Sequence, residues 1–364
     1  MIYLDYQATT PVAPAVAAAM QPWIEEKFAN PHAPSRAGRE AAAAIAVARD
    51  RVEQAIGREG GRVAFTGSAT EALNWALKGT IERSQRRKLV TIATEHAAVL
   101  DSAEWLAGQG VEVVVLPVGR DGLVDLAAAE AAIDDDTALV AAMLVNNEIG
   151  VIQPIADLAR LAHAKGALML CDAVQGLRRV PLPDGPDLVA ISAHKIHGPK
   201  GIGALWMRRG CEPAPLIHGG GQELGLRSGT LSPALCVGFG EAARLDTDPA
   251  RVEKLSELAL ATFGPDWVLN GSKADRYRGN LNLRRDGLDG ARLLGDCRDI
   301  AFSLGSACAS GSGRPSHVLR ALGLSEREAR SSIRLGFGRY TTEEEILLAC
   351  QHLGAAADAQ RVLP

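Results

Sequence analysis

Asp187-Leu188-Val189-Ala190-Ile191-Ser192-Ala193-His194-Lys195-Ile196-His197-Gly198-Pro199-Lys200-Gly201 is an apolar run that empties into a turn. Asp187 to Ile191 has the length and composition of a buried strand. Gly198, Pro199 and Gly201 bound the turn and keep a helix from starting at Lys195. A lysine just past a buried strand, beside Ser192 and His194, is poorly placed for a solvated surface role. Burial and neighbouring cations lower a lysine pKa until its amine is nucleophilic, which Schiff-base chemistry requires. The chain has 8 lysines against 31 arginines, so it seldom uses lysine merely for solubility. The alternative is an ordinary turn lysine, and the rest of the chain decides between the two.

Outward from this segment the same pattern repeats. Lys88 to Ala93 reads as a strand ending in Thr94-Glu95-His96, and Ala138 to Val145 as one ending in Asn146-Asn147. Ala167 to Cys171 ends in Asp172-Ala173-Val174-Gln175, and Val111 to Pro117 is a further strand. Helical patterns lie between, from about Val99 to Ala107 and from Ile155 to Lys165. Near-continuous apolar strands separated by helices indicate an α/β fold with a mostly parallel sheet covered on both faces. His96, Asn147, Asp172, Gln175 and Lys195 all follow closely after strands. Ligands of open α/β sheets bind beyond the carboxyl ends of the strands, so one crevice collects all five. Arg62 to Thr66 is another strand, followed by a Gly67-Ser68 turn and a helix opening at Ala69-Thr70 with Leu73, Leu77 and Ile81 on one face. Free N–H groups and the helix dipole at such a junction suit a phosphate.

Helical patterns also run from Pro14 to Phe28, from Arg36 to Ile56, and through a long alanine-rich stretch from Pro233 to about Thr262. A second lobe follows, with short apolar segments at Trp267 to Leu269 and Leu281 to Leu283. It ends in a helix from Thr342 to about Ala357, where Thr342 and Glu345 form a capping-box pattern.

At 364 residues the chain suggests two domains, and its net charge of -4 offers no electrostatic case for nucleic acid or a membrane surface. No apolar run is long enough for a bilayer and no signal peptide is visible, so a soluble cytoplasmic protein is expected. Cys171, Cys211, Cys236, Cys297, Cys308 and Cys350 form no C-x-x-C pair, which fits neither a zinc site nor a disulfide framework. Five of them read as small buried hydrophobes. Cys308 differs. It sits in Ser303-Leu304-Gly305-Ser306-Ala307-Cys308-Ala309-Ser310-Gly311-Ser312-Gly313, a composition that packs poorly and suits a nucleophile on a moving arm.

Together these residues resemble the cysteine desulfurases of the NifS/IscS type, in the class-V aminotransferase group of fold-type I pyridoxal-phosphate (PLP) enzymes. The resemblance covers essentially the whole chain. It rests on Tyr3-Leu4-Asp5-Tyr6 with Ala8-Thr9-Thr10-Pro11, Ala69-Thr70-Glu71, Thr94-Glu95-His96 and Val145-Asn146-Asn147-Glu148-Ile149-Gly150. It continues through Asp172-Ala173-Val174-Gln175, the Lys195 segment, Arg227-Ser228-Gly229-Thr230, Gly305-Ser306-Ala307-Cys308 and Ser331-Ser332-Ile333-Arg334.

The resemblance implies a large PLP-binding domain over residues 16–250, with a seven-stranded, mostly parallel sheet. Residues 1–15 and 251–364 would form a smaller α+β domain carrying the catalytic-cysteine loop, at about 303–316. Lys195 would hold PLP covalently and later transfer protons, and Asp172 would keep the ring nitrogen protonated. Gln175 would bond the ring hydroxyl, and His96 would stack on the ring. Ala69, Thr70, Ser192 and His194 would hold the phosphate. Thr230 would reach the phosphate of a partner subunit, implying a homodimer. Asn147 and Arg334 would bind the substrate carboxylate. Cys308 would take sulfur from L-cysteine as a persulfide, release L-alanine and pass the sulfur to an acceptor protein, a cluster scaffold or sulfur carrier, for iron–sulfur assembly or tRNA thiolation.

Three features depart from the family pattern: Gln7 where a smaller residue is usual, the order Gly67-Ser68, and Leu170 where many members have histidine. The sequence ends at Pro364, without the longer tail that helps housekeeping members dock a scaffold, so the usual scaffold is not an assured acceptor. Competing readings are a selenocysteine lyase, another class-V enzyme, or a non-catalytic assembly subunit. The thiol in its small-residue loop argues against a plain aminotransferase, and the intact Lys195, Asp172, His96 and Cys308 set argues against the last.

Overall fold

The computed structural model describes residues 1–304 and 316–361. Thirteen strands and twelve α-helices alternate along the described chain. The first part contains β1 (Ile2–Tyr3), α1 (Pro14–Glu25), α2 (Arg36–Ile56), β2 (Gly61–Thr66), α3 (Ala69–Arg83), β3 (Lys88–Ile92), α4 (Ala97–Ala107) and β4 (Glu112–Leu116). It continues with α5 (Leu126–Ala132), β5 (Thr137–Met143), α6 (Ile155–Ala164), β6 (Leu168–Asp172), β7 (Leu188–Ser192), β8 (Gly203–Arg208) and α7 (Pro233–Ala243). Then come α8 (Pro249–Phe263), β9 (Val268–Leu269), β10 (Asn280–Arg284), α9 (Gly290–Asp296), β11 (Ile300–Ala301) and β12 (Ser303–Leu304). The chain closes with α10 (His317–Ala321), α11 (Glu326–Arg330), β13 (Ser332–Gly336) and α12 (Glu343–Arg361).

Seven strands form the large sheet in the order β2-β8-β7-β6-β5-β3-β4. Every pairing is parallel except those of β8, which runs antiparallel to both β7 and β2. Alternation along the strands feeds two cores. Val63, Phe65, Met169, Cys171, Val189 and Ile191 pack with residues of α1, α2, α6 and α7. Ala64, Leu139, Leu170, Leu188 and Leu205 face the other way, against α3 and α4. This is the doubly covered sheet expected from uninterrupted apolar strands. Phe65 and Phe239 meet at 6.2 Å between ring centroids, and truncating either to alanine would cost about 3–5 kcal/mol.

A third core joins Leu4, Leu255, Phe263, Trp267, Leu281, Leu283, Leu335 and Leu353 around the four-stranded antiparallel sheet β12-β13-β10-β9. The N-terminal strand β1 pairs with β11, so the chain begins beside this lobe before crossing to the large sheet. Among the described residues no helix is long and apolar enough to cross a membrane.

Helix ends follow local chemistry. Ser35 and Ser68 cap α2 and α3 by accepting bonds from Gly38 N and Glu71 N, and Gly57 closes α2 at φ 68°. The Thr342–Glu345 capping box forms in both directions, at 2.8 and 3.1 Å.

Two expectations need correction, and one strand lies where none was expected. The alanine-rich stretch after Pro233 is two helices, because Asp248 caps a new one and Pro249 occupies its first turn. The first helix stops at Glu25, leaving Phe28 85% exposed. The strand β8 went unread: Gly203 to Arg208 follows the Lys195 turn so closely that no helix intervenes, and the short return forces it antiparallel.

Candidate active site

The loop between β2 and α3 and the turn after β7 meet at one open cleft. It is lined by Gly67, Ser68, Ser192, His194, Lys200 and Gly201, with Ala8 and Thr9 from the N-terminal segment. The backbones approach closely because β8 begins with glycine: a Cβ on Gly203 would lie 2.5 Å from the Ser68 carbonyl carbon. Glu71 holds the loop by accepting from Gly67 N at 2.7 Å while pairing with Arg227 at 2.7 Å. Burial first, then Lys195 and Lys200, pulls the His194 pKa down to about 4, so its imidazole is neutral. A helix N-terminus, two serine hydroxyls and Lys200 form a cradle whose chemistry fits a phosphate.

Lys195 ends a single 3₁₀ turn, Ala193–Lys195. Its Nζ donates to Gln7 O at 2.6 Å and Ala8 O at 2.8 Å. Burial, with Arg179 and Arg334 adding repulsion, lowers its pKa to about 7, against the opposing pull of Asp5 and Asp172. Gln175 Nε2 donates to the same Gln7 carbonyl at 2.9 Å, and its Oε1 accepts from Arg179. Arg179 also donates to Lys195 O at 2.8 Å. Asp172 closes β6, buried, with one oxygen accepting from Val174 N at 2.9 Å. Burial raises its pKa, while the Val174 N–H, His96 and Lys195 oppose the rise. An anionic carboxylate there fits a cationic ring nitrogen. His96 caps α4, its Nδ1 accepting from Ala98 N at 3.1 Å, which leaves the ring proton on Nε2.

A third cluster lies where the two lobes touch. Arg334 on β13 donates to Asn147 O at 3.1 Å, to Asp5 Oδ1 at 2.7 Å and to Ser303 Oγ at 2.8 Å. Beyond the undescribed residues, Ser316 Oγ donates to Glu148, and His317 Nε2 donates to Glu95 O at 2.8 Å. Both ends of the proposed sulfur loop are therefore tied to segments that carry Arg334, Asn147 and His96.

The structure thus gathers Ser192, His194, Lys195, Asp172, Gln175, His96, Asn147 and Arg334 at one rim. Ala69 is buried at the start of α3 and Thr70 beside it is exposed. Thr230 is exposed three residues beyond the Arg227–Glu71 pair. Cys308 lies outside the described residues. Among the described cysteines, Cys171, Cys236, Cys297 and Cys350 are buried, but Cys211 is only half-buried, a correction to its reading as core. Burial raises all five thiols, with Cys236 and Cys350 pushed up to about 12. None is a ready thiolate.

Several contributors were not assigned roles from sequence. Thr9 Oγ1 meets His194 Nδ1 at 3.1 Å, and Thr10 Oγ1 donates to His194 O at 2.9 Å while accepting from His197 N at 2.8 Å. Asp5 neutralises Arg334. The two threonines before Pro11 were the available signal, since β-branched polar residues in an irregular entry suggest side-chain bonding to backbone. Glu95 is fully buried, and burial followed by the nearby Asp172 raises its pKa well above the usual range.

The model of the family described as "Aminotransferase class-V" matches residues 2–348. The chain is 44% identical to "Cysteine desulfurase IscS" of Rickettsia bellii over 363 residues, covering 95% of this chain and 88% of that protein. It is 42% identical to the protein of the same name from Rickettsia peacockii, covering 100% and 92%. Among solved structures, a "NIFS-LIKE PROTEIN" superposes with a TM-score of 0.89 at 32% identity, covering 100% of both chains. "SspA in complex with cysteine" superposes with a TM-score of 0.86 at 35% identity, covering 94% of this chain and 100% of that one. The fold and the strand-end site define a fold-type I PLP enzyme. The chain belongs to the class-V aminotransferase family and, within it, to the NifS/IscS-like cysteine desulfurases.

Proposed function

We propose that this PLP-dependent enzyme takes sulfur from L-cysteine through Cys308, with Lys195, Asp172 and His96 serving the carbon chemistry. The observation that carries the assignment is the Lys195 amine. Burial and neighbouring cations hold it at about pKa 7, with Asp172 close enough to oppose the shift, and it directly follows His194, which lines the cradle suited to phosphate. Lys195 would hold the cofactor. Ser192, His194, Ala69 and Thr70 would surround its phosphate, and Asp172 would face its ring nitrogen, with Gln175 and His96 flanking the ring. PLP, when bound, stores the electron pair released at the substrate α-carbon. An amine that titrates near neutrality accepts and returns the α-proton without a large free-energy penalty. Arg334 and Asn147 would orient the substrate carboxylate. The Cys308 thiolate would attack the substrate sulfur, forming an S–S bond as the C–S bond breaks, and L-alanine leaves after the carbon is protonated.

This reading extends to the organisation of the chain. A large domain would span about 16–250, and a smaller one 1–15 and 251–364. Exposed Thr230 would act across a homodimer interface. A protein acceptor, a cluster scaffold or sulfur carrier, would receive the sulfur. The five free thiols of the described residues fit a reducing, cytoplasmic setting.

Cys308→Ala tests the assignment. Spectral changes on adding L-cysteine should survive, whereas persulfide and stoichiometric alanine should fall on the order of 10³-fold or more. Cys171→Ala should retain turnover, because that thiol is strand packing. Near wild-type alanine formation by Cys308→Ala would instead indicate a lyase that eliminates sulfur or selenium directly.

A further inference from the structure

On the other side of the Lys195 turn from the phosphate cradle, a cavity of about 290 Å³ opens between the two lobes. The large lobe supplies Arg178, Arg179, Ile196, His197 and Leu245 to its wall, and the small lobe supplies Arg251, Val252, Tyr277 and Arg339. Neither Asp172 nor His96 borders it. The substrate and cofactor groups already described lie elsewhere, apart from Lys195, whose turn separates the two spaces.

This wall gathers arginines without a carboxylate partner. Some part-buried arginines are neutralised, Arg49 by Glu223, Arg227 by Glu71 and Arg334 by Asp5, whereas Arg58 and Arg276 bond only to backbone carbonyls. Among the described residues, no carboxylate forms an ion pair with Arg178, Arg179, Arg251 or Arg339. Their bonds go to neutral oxygens instead. Arg178 donates to Leu245 O at 2.6 Å, Arg251 to Thr341 O at 2.6 Å, Arg179 to Lys195 O at 2.8 Å, and Arg339 to Asp246 O. Arg178 Nε is buried with no partner at all. Asp246 and Asp248 also border the cavity, but an oxygen of Asp248 is engaged by Arg251 N in capping α8.

Backbone conformation points the same way. Four non-glycine residues of the described chain have positive φ, and two of them, Arg178 at 61° and His197 at 68°, border this cavity. Left-handed backbone at a bulky residue is strained, and such strain concentrates where ligands are clamped. Much of the remaining wall is aliphatic or aromatic, from Ile196, Ala242, Leu245, Val252, Tyr6 and Tyr277, with Thr247 the uncharged polar residue among it. An apolar chamber with a few convergent, unneutralised guanidinium groups has the chemistry of a small-molecule anion site.

We propose that this cavity binds a small organic anion, whose carboxylate or phosphate is held by Arg178 and Arg339 and whose short carbon body lies on the apolar wall. Because the walls come from both lobes, the bound anion would tie them together behind Lys195.

The test uses the holoenzyme, whose cofactor occupies the phosphate cradle. Calorimetric titration with succinate and with inorganic phosphate, each against sodium chloride at equal ionic strength, should show saturable binding of one anion per chain. The tighter probe identifies the head group. Arg178→Gly, which also suits the left-handed backbone, should weaken binding on the order of tenfold to a hundredfold, as expected for loss of a charged hydrogen bond. Val252→Phe, which fills the chamber without changing a charge, should abolish it. Arg334→Gln should leave it intact. Equal binding by wild type, Arg178→Gly and Val252→Phe would overturn the proposal. So would loss of binding in Arg334→Gln alone, or no heat above the chloride control.

Discussion

Two regions build this site by different physics. The rim of the large sheet carries Asp172 and Ser192 at the ends of strands that are almost wholly buried and bonded on both sides, with Lys195 on the short turn that follows Ser192. The segment Asp5–Thr10 belongs to no extended ladder. It is held by contacts with partners far along the chain: Asp5 with Arg334, Gln7 with Gly279, Gln7 O with Lys195, and Thr10 with His194. Packing fixes the rim, so its groups hold their geometry when one side chain changes. The segment is fixed by the polar contacts themselves, so a change of one group alters both position and charge. Gln7 shows how tight the latter can be, since a Cβ on Gly336 would overlap its Oε1. Rim variants should therefore lose chemistry while keeping structure, and segment variants should trade structure against binding.

The largest effect is expected at the rim. Asp172→Asn removes the buried charge but preserves the Val174 N–H bond, so the fold and cofactor binding should persist. Turnover should fall on the order of 10²–10³, the usual cost of removing one preorganised electrostatic group. The measurement is kcat on L-cysteine alongside the cofactor's visible absorbance. Retained turnover would show that the strand-end carboxylate contributes only packing, and the contrast between the regions would collapse.

In the segment, Asp5→Asn should behave differently. Asp5 and Arg334 retain 18% and 11% side-chain exposure, so the pair is nearly but not wholly dry. Removing one partner from a fully buried pair costs about 3–5 kcal/mol, and here a smaller loss of about 1–3 kcal/mol is expected. The freed Arg334 should then hold a substrate carboxylate more tightly, by about tenfold at most, equivalent to about 1.4 kcal/mol. Denaturant midpoints and the dissociation constant of L-alanine measure the two sides. Weaker alanine binding would make Asp5 a positioning residue for Arg334 rather than its displaceable counter-ion.

The same contrast explains what was legible before the structure. The rim was readable because each strand is an apolar run that stops at a polar residue, and hydrophobic periodicity is a local signal. The strand-end positions of His96, Asp172, Gln175 and Lys195 were legible in that way, together with the turn and helix start at Ser68. The segment was legible only as an irregular entry, because 329 residues separate Asp5 from Arg334 and nothing local encodes that meeting. Strand β8 shows a different limit. Its composition suits a strand, but its antiparallel direction depends on the shortness of the return from β7. The break between α7 and α8 was locally signalled by Asp248-Pro249 and was overridden by the alanine-rich pattern around it.

The smallest expected effect lies where rim and segment clasp each other. His194 meets Thr9, and His197 Nδ1 meets Pro11 O at 3.0 Å while its ring packs edge-on against Tyr6 and Tyr340. Burial pulls both imidazoles down to a pKa of about 4 from the ordinary 6.5. Above pH 6.5 neither folded nor unfolded chain protonates them, so their full contribution is present. Between about pH 6.5 and 4 the unfolded chain binds protons that the folded chain refuses, and stability falls as pH falls. At pH 5 the gap for His197 is about 1.5 pKa units, near 2 kcal/mol at 1.36 kcal/mol per unit, and partial solvent access reduces it to about 1 kcal/mol. His197→Asn tests this, because asparagine tolerates the left-handed φ of 68° and keeps a short donor near Pro11. The variant removes a titrating group, so its melting temperature should drop less than that of the wild type between pH 7.5 and pH 5. The difference should be a degree or two for a chain of this size. Parallel drops in the two proteins would mean that His197 is protonated in the fold, and that the clasp carries charge instead of excluding it.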